Sequence, residues 1–162
     1  MALDLALELL ADNVGAHKKI ARWYFDEWVS PASSVGVEQI EIKLADAINR
    51  SSPPLMVLAK DAKRIIGAAE LKTYEMDIYP DYEFWIGGVY VDIDYRGQGV
   101  GKCLVRDIIN RAEVIGIRTL YLQTEDLTGG LYSRFGFQPL EVVEHQGYRV
   151  LVMFANLGLN VC

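Results

Sequence analysis

The residues with the clearest capacity for chemistry lie between Arg96 and Lys102, in the run Arg-Gly-Gln-Gly-Val-Gly-Lys. Glycines at 97, 99 and 101 would let the backbone approach a ligand without clashes from Cβ atoms. An apolar strand precedes the run and an amphipathic helix begins in it, so the first helical N–H groups, which lack partners within the helix, would face an anion. The basic residues at either end add full positive charge. The run therefore predicts a phosphate-binding loop.

Two common phosphate-binding motifs do not fit this loop. The dinucleotide fingerprint Gly-x-Gly-x-x-Gly would need its third glycine where Lys102 stands. The P-loop needs glycine at position 96 and a hydroxyl residue after the lysine, but Arg96 and Cys103 occupy those positions, and a thiol does not replace the magnesium-binding hydroxyl. A nucleotide-binding domain is therefore disfavoured. The pattern that fits is Arg/Gln-x-x-Gly-x-Gly/Ala, through Arg96, Gly99 and Gly101.

Apolar periodicity predicts the elements that must position this loop. Val14 is expected on the buried face of a first helix and Ile48 on that of a second, and the three tryptophans are expected in the core. The predicted elements, in chain order, are a strand or a helix at 3–9, a helix from a cap at Asp12 or Asn13 to about Val29, a helix at about 37–50 ended by Pro53-Pro54, strands at 55–60 and 65–74, a loop at 76–82, a strand at 84–91, a helix at about 99–115, a strand at 119–124, a short helix at 129–135 and a hairpin around Gln146-Gly147.

The order of these elements predicts the fold class. The strand–helix–strand segment at 84–124 must be a parallel, right-handed crossover. The neighbouring hairpins add antiparallel strands, so we expect an α/β (α+β) fold with a mixed sheet of about six to seven strands and helices on both faces. The length of 162 residues fits one domain over 1–162.

Composition excludes several classes of function. With 51% apolar and 23% charged residues the chain is expected to be globular, and a net charge of −6 argues against a surface that coats nucleic acid. No apolar run approaches the roughly 20 residues that span a bilayer, and the start lacks a secretory signal, so a cytoplasmic protein is expected. We predict no metal site, because Cys103, Cys162, His17 and His145 show no ligand spacing.

Two stretches carry a family resemblance. The first runs from Gly88 to Lys102 and the second reads Leu131-Tyr-Ser-Arg-Phe-Gly-Phe137. In both, and over nearly its whole length, the chain resembles the bacterial-type, single-domain members of the GNAT superfamily of N-acetyltransferases. Leu131 stands where the family signature has Phe, and Glu125 stands where the family often has Asn, seven residues before Tyr132.

The resemblance implies a CoA site and a GNAT fold. The strand segment at Val89, Tyr90 and Val91 borders the pantetheine arm, with backbone groups of the two valines paired to it. The N–H of Val89 points at the thioester carbonyl, which a bulge at Gly87-Gly88 makes physically reasonable because a bulge frees strand groups from the ladder. The amides that hold the CoA pyrophosphate belong to Arg96, Gly97, Gln98, Gly99, Val100, Gly101 and Lys102.

The implied reaction is transfer of an acetyl group from acetyl-CoA, the co-substrate, to a primary amine of a small molecule, peptide or protein, by direct attack in a ternary complex. Tyr132 is the candidate acid that protonates the departing sulfur. Glu75, Asp81 and Glu83 are candidate bases, and Glu83 shares strand parity with Trp85 and Val89. The acidic chain favours a cationic acceptor. Neither nucleic acid nor a membrane is expected as a partner, and the protein is expected to be a monomer or homodimer. A catalytically silent acyl-CoA-binding or sensing module is the alternative.

Overall fold

A seven-stranded mixed sheet forms the centre of the computed structural model, which describes residues 2–158. Its strand order is β1-β2-β3-β4-β5-β7-β6, and β4 and β5 form the parallel pair among antiparallel neighbours. The strands and helices are β1 Leu5–Leu9, α1 His17–Trp28, α2 Val37–Ala45, β2 Leu55–Asp61, β3 Arg64–Thr73, β4 Phe84–Val91, α3 Val100–Ile115, β5 Thr119–Thr124, β6 Gln138–His145 and β7 Tyr148–Asn156.

Helices cover both faces of the sheet, which confirms the predicted layering. In β2, Leu55 and Val57 pack in the core cluster beneath α3, whereas Met56 and Leu58 pack in the cluster beneath α1 and α2. This alternation follows from the two-residue period of a strand. Because both faces are covered, β2 is apolar without interruption from residue 55 to residue 59.

Helix α3 holds the end of β4 and the glycine run in a fixed relation. The sequence pattern predicts six inward residues on this helix. Val100, Leu104, Val105, Ile108 and Ala112 are buried, and Ile115 is half-buried against the same cluster. Glycines in the left-handed region stand at both ends of the helix, with φ of 85° at Gly99 and 96° at Gly116. A glycine has no Cβ penalty there, so the sequence itself marks where α3 begins and ends.

The first helix begins later than predicted. Residues Leu10–Asp12 form a short 3-10 turn, and α1 starts at His17 rather than after a cap at Asp12 or Asn13. The Asn13 amide donates to the carbonyl of Leu9 at 2.9 Å instead of capping the helix. Gly15, at φ 87°, interrupts a continuous helix. As a result Val14 is fully exposed, and its expected place on the buried face was wrong.

The second helix ends earlier than predicted. It stops at Ala45, and Ile48 pairs with Leu55 in an isolated antiparallel bridge. The chain is therefore already extended where the helical pattern was expected to continue. Ala47 fills the core position in this segment, and Ile48 is 57% exposed, so its assignment to the buried face was wrong.

Two negative findings hold for residues 2–158. No helix there is long and apolar enough to cross a membrane. No group of three His, Cys, Asp or Glu side chains there is arranged to hold a metal ion. Cys162 lies outside the described residues, and Cys103 is half-buried in α3.

Candidate functional site

Strands β4 and β5 separate soon after they meet. Within the described residues the two strands pair in register at one position, Trp85 opposite Tyr121. Residues 87–91, which we call the open half of β4, therefore lack β5 as a partner on that side. Their backbone N–H and C=O groups are obligatory hydrogen-bonding groups. An extended ligand laid along this edge would supply the partner that the sheet does not.

A cavity of about 450 Å³ lies along this open edge. That volume is within the usual range for small-molecule sites. Every residue predicted to bind the cofactor lines it except Gln98, which is exposed. The predicted acid, Tyr132, lines it as well. The lining residues are Glu27, Trp28, Val89, Tyr90, Val91, Tyr95, Arg96, Gly97, Gly99, Val100, Gly101, Lys102, Leu131 and Tyr132.

The glycine loop, residues 96–102, forms one wall of the cavity. Gly97 and Gly99 have φ of 77° and 85°, and a Cβ at either would meet no atom within 4 Å. Gly101 differs, because a Cβ there would make ordinary contacts of 3.7 Å with Leu131 and Val91. The positive φ angles thus favour glycine at positions 97 and 99. At position 101 the absence of a side chain leaves more of the cavity open to a ligand.

The N–H groups at the start of α3 are available to a ligand. The first bond of the helix runs from the N–H of Cys103 to the carbonyl of Gly99 at 3.1 Å. The N–H groups of residues 100–102 precede that bond, so the helix itself does not use them. Together with the helix dipole they favour an anion at this end of the cavity.

Arg96 is fixed against β4. Its Nε donates to the carbonyl of Val91 at 2.8 Å, and its guanidinium carbon lies 5.2 Å from the centre of the Tyr90 ring. Lys102, at the other end of the loop, is exposed. The carbonyl of Val91, expected to pair with pantetheine, therefore already accepts one hydrogen bond and keeps one lone pair for another.

Tyr132 enters the cavity from the 3-10 helix Gly130–Phe135. Its ring packs edge-to-face on Phe137 at 6.2 Å between centroids. Burial raises the pKa of Tyr132 to about 12, so the hydroxyl stays protonated at neutral pH. A protonated phenol that lines the cavity can donate a proton to a basic leaving group.

The backbone conformation just before Tyr132 favours glycine at two consecutive positions. Gly129 and Gly130 have φ of 84° and 51°, and a Cβ at Gly129 would lie 2.5 Å from the Ser133 hydroxyl. A Cβ at Gly130 would lie 2.6 Å from a carboxylate oxygen of Asp126. These two glycines, unusual in a short helix, therefore allow the tight turn that delivers Tyr132.

The predicted bulge in β4 is present. Tyr90 lies opposite Ala68 and Gly87 lies opposite Glu70, so that Gly88 and Val89 together face one residue of β3. Gly88 has φ of 58°. The extra residue interrupts the alternation of side chains along the strand.

The bulge overturns the parity argument for Glu83. Trp85 is buried with Met76, Val150 and Val152 on one face of the sheet, whereas Val89 packs against the α3 cluster on the other. Glu83 and Asp81 are exposed and do not line the cavity. The backbone carbonyl of Glu83 accepts a hydrogen bond from the N–H of Tyr74 at 2.7 Å, which closes the loop between β3 and β4.

Glu75 belongs to a separate polar group, the Lys72 cluster, beside the bulge. The ammonium of Lys72 is 3.0 Å from Glu75 and 3.7 Å from Glu70, and the amide of Gln123 donates to Glu75 at 3.3 Å. The Lys72 side chain also lies against Gly87. The members of the cluster are Tyr24, Glu70, Lys72, Glu75 and Gln123.

Charges in the Lys72 cluster oppose the effect of burial on the pKa values of Glu75 and Lys72. Burial acts to raise the pKa of Glu75, but the Lys72 ammonium outweighs it, and the pKa of Glu75 lies below its usual value. Burial acts to lower the pKa of Lys72, but Glu70 and Glu75 outweigh it, and the pKa of Lys72 lies above its usual value. Two carboxylates and one ammonium leave the cluster with a net negative charge.

Tyr24 connects the cluster to the bulge. Its hydroxyl donates to the carbonyl of Gly88 at 2.5 Å. Burial, and then the neighbouring Glu70 carboxylate, raise the pKa of Tyr24 well above its usual value. Neither Tyr24 nor Glu70 was identified from the sequence as a candidate site residue. One signal was present, because Glu70 is the charged residue in the otherwise apolar run from Ile65 to Leu71.

The sequence also did not predict that the end of α1 lines the cavity. Trp28 is 45% exposed and lines the cavity next to Glu27, so its assignment to the core was wrong. Trp28 contacts the rings of Tyr24 and Tyr90 at centroid distances of 5.0 and 6.1 Å. The assignment of Trp85 to the core is confirmed, since it is fully buried.

The chain is similar to several known proteins. It is 28% identical over 130 residues to an uncharacterized N-acetyltransferase of Methanocaldococcus jannaschii, a match that covers 78% of this chain and 49% of that protein. The chain thus spans about half the length of that relative.

Solved structures share the fold. A putative acetyltransferase of Acinetobacter baylyi ADP1 matches with a TM-score of 0.76 and 16% identity over 97% of this chain and 95% of that one. The putative acetyltransferase yncA of Salmonella typhimurium, solved with its cofactor acetyl-CoA, matches with a TM-score of 0.72 and 14% identity over 98% and 96%.

Residues 53–139 match the family model of the acetyltransferase (GNAT) domain. These residues include β2 to β5, the glycine loop, α3 and Tyr132, and so most of the residues that line the cavity. Because the match covers more than half of the chain and the fold agrees with it, the protein belongs to the GNAT family of acetyltransferases.

Proposed function

We propose that the protein is an acetyl-CoA-dependent N-acetyltransferase that transfers an acetyl group to a primary amine while both substrates are bound. The observation that carries the proposal is the open half of β4, which runs from the glycine loop along a cavity that Tyr132 also lines. Family membership supports acetyl-CoA as the donor.

Acetyl-CoA would lie along the cavity from the loop to the bulge. The pyrophosphate would accept hydrogen bonds from the N–H groups of residues 100–102, with Arg96 and Lys102 supplying positive charge. The open space beside Gly97 and Gly99 gives the phosphates room to approach the backbone. The pantetheine amides would pair with the open half of β4 as an added strand.

Acyl transfer in this arrangement needs no covalent enzyme intermediate. The amine nitrogen attacks the thioester carbonyl carbon, and the N–H of Val89 stabilises the oxyanion that forms. The carbon–sulfur bond then breaks, and the hydroxyl of Tyr132 donates its proton to the sulfur. The proton lost by the amine returns to the enzyme through water, so that the products are the N-acetyl amine and free CoA.

The Lys72 cluster is our candidate for the acceptor side. Of the carboxylates predicted as bases, Glu75 lies in this cluster beside the bulge, whereas Glu83 and Asp81 are exposed in a loop outside the cavity. The low pKa of Glu75 makes it a weak proton acceptor, so we assign it mainly to attracting a protonated amine and passing its proton to water. A cationic acceptor, such as a polyamine, a lysine-like amine or a peptide N-terminus, fits this charge.

Two measurements test the proposal. Calorimetry should detect acetyl-CoA binding, and thiol release should then be measured with a panel of amines and peptide N-termini. Release that depends on an amine supports the transferase. Tight binding without release for any acceptor would favour a silent acyl-CoA-binding module, and the lack of binding would overturn the assignment of the cavity.

A further inference from the structure

The peptide that joins the two bulged residues of β4 is held from outside the sheet. Its carbonyl, on Gly88, accepts the hydroxyl of Tyr24 at 2.5 Å. Tyr24 is 7% exposed, belongs to α1 and does not line the cavity. The N–H of the same peptide belongs to Val89, which does line it. Tyr24 therefore contacts the carbonyl end of this peptide, and Val89, at the N–H end, lines the cavity.

Geometry couples the two ends of this peptide. A trans peptide is planar, so its C=O and N–H point in opposite directions. A hydrogen bond that fixes the carbonyl of Gly88 toward Tyr24 therefore fixes the N–H of Val89 away from Tyr24. A hydrogen bond to the carbonyl also polarises the amide and makes its N–H a stronger donor.

The packing around Gly88 shows how closely this peptide is held. A Cβ on Gly88 would lie 2.4 Å from the Tyr24 hydroxyl and 2.4 Å from a carboxylate oxygen of Glu70. Two side chains from different elements, α1 and β3, therefore enclose the residue. Because a bulge removes the peptide from the regular ladder, this contact replaces the orienting effect of strand pairing.

We propose that Tyr24 is a positioning residue for acetyl transfer, which orients and polarises the Gly88–Val89 peptide so that the Val89 N–H is presented to the thioester oxygen. This inference rests on the proposed function. Tyr24 does not line the cavity and acts through the peptide. Loss of its hydroxyl should therefore affect the chemical step rather than the binding of CoA, whose phosphates lie at the other end of the open half of β4.

Tyr24→Phe tests the proposal with acetyl-CoA labelled with carbon-13 at the thioester carbonyl. In the wild-type protein the carbonyl resonance should move downfield on binding, and in Tyr24→Phe this displacement should shrink. The affinity for acetyl-CoA should stay within about twofold, which also shows that the variant is folded. We expect kcat to fall about 10-fold, less than the loss of an oxyanion donor itself causes.

Tyr79→Phe is the matched control, since it removes a hydroxyl that hydrogen-bonds the exposed Glu141 and does not line the cavity. It should change neither the carbonyl resonance nor kcat. An unchanged resonance and kcat in Tyr24→Phe would overturn the proposal. A lower kcat with an unchanged resonance would also overturn it, because a purely structural defect gives that result.

A second measurement needs no variant. In nitrogen-15-labelled wild-type protein the amide proton of Val89 should move downfield with acetyl-CoA but not with CoA. If acetyl-CoA binds and is consumed while this resonance stays in place, the role of the peptide is wrong and the transferase function stands. If acetyl-CoA does not bind the wild-type protein, the proposed function itself fails.

Discussion

The glycine loop and the Lys72 cluster adjoin opposite ends of the open half of β4 and are built in opposite ways. The loop is seven consecutive residues, and its properties follow from local backbone: two glycines at positive φ, free N–H groups and two basic side chains. The cluster takes its five residues from α1, β3, β5 and the loop after β3. Glu70, Lys72 and Glu75 are close in the chain, whereas Tyr24 and Gln123 join them through tertiary contacts.

This difference indicates a division of roles. A contiguous, exposed loop suits a ligand part that is the same in every reaction, such as the phosphates of CoA. A group assembled from several elements can be altered one side chain at a time, which suits the acceptor side. Variants of the loop should therefore change acetyl-CoA binding, and variants of the cluster should change turnover or acceptor binding.

The largest effect is expected from Gly99→Val. A valine at positive φ costs about 1–3 kcal/mol of stability, and its side chain would enter the phosphate space. Loss of about two charge-assisted hydrogen bonds should weaken acetyl-CoA binding about 100-fold, as measured by calorimetry. Gly116→Val is the matched control, because Gly116 caps the other end of α3 at φ 96° with equally open space.

Gly116→Val should lose a similar amount of stability and keep its affinity within about twofold. Equal losses of affinity in the two variants would mean that backbone strain, rather than ligand contact, explains the effect. The assignment of the loop to the pyrophosphate would then be wrong.

The next largest effect is expected from Tyr132→Phe. Loss of the proton donor should lower kcat by about 10- to 100-fold with little change in acetyl-CoA affinity, since a thiolate is a tolerable leaving group. Steady-state kinetics, with pre-steady-state data to show that chemistry limits the rate, measure this. If chemistry limits and kcat does not change, Tyr132 is an aromatic packing residue only.

A smaller effect is expected from Glu75→Gln, which keeps the hydrogen bond to Gln123 possible but removes the closest charge partner of Lys72. We expect kcat/KM for a cationic acceptor to fall roughly 10-fold. Glu83→Gln is the control and should stay within about twofold, because Glu83 is exposed outside the cavity. The reverse order would place the acceptor at the loop between β3 and β4.

Salt should have a modest effect on the KM for a cationic acceptor. The attraction between the Lys72 cluster and a cation that approaches through solvent is screened over about 8–10 Å at ordinary ionic strength. The KM for a cationic acceptor should therefore rise a few-fold between low and high salt. A neutral amine of similar size serves as the control. A KM for the cation that does not change with salt would mean that the Lys72 cluster does not attract the acceptor electrostatically.

The smallest effect is expected from pH, on the ratio of wild-type kcat to that of Tyr132→Phe. Because burial raises the pKa of Tyr132 to about 12, its hydroxyl keeps its proton from about pH 7 to about pH 10 and should lose it only as pH rises through 12. The ratio of wild-type kcat to that of Tyr132→Phe should therefore stay constant over about pH 7–10. A ratio that falls in this range would show that the acid ionises earlier.

Much of the fold was predictable because local patterns decided it. The bounds of β4 and β5 were predicted to the residue, since a charged residue stands directly before and after each strand. The two wrong helix bounds have one tertiary cause and one local cause. Ile48 pairs with Leu55, and Gly15 breaks the helix ahead of α1.

The sequence by itself determined the mixed sheet, the strand–helix crossover and the glycine loop, because each depends on neighbouring residues and on backbone preferences that glycine makes visible. Only the tertiary structure decided which polar groups meet beside the bulge. Tyr24 and Glu70 are 46 positions apart, and they become neighbours of Gly88 through the packing of α1 on β3 and β4. The bulge likewise separated Glu83 from the cavity, because one added residue reverses the side-chain alternation that a sequence pattern takes as continuous.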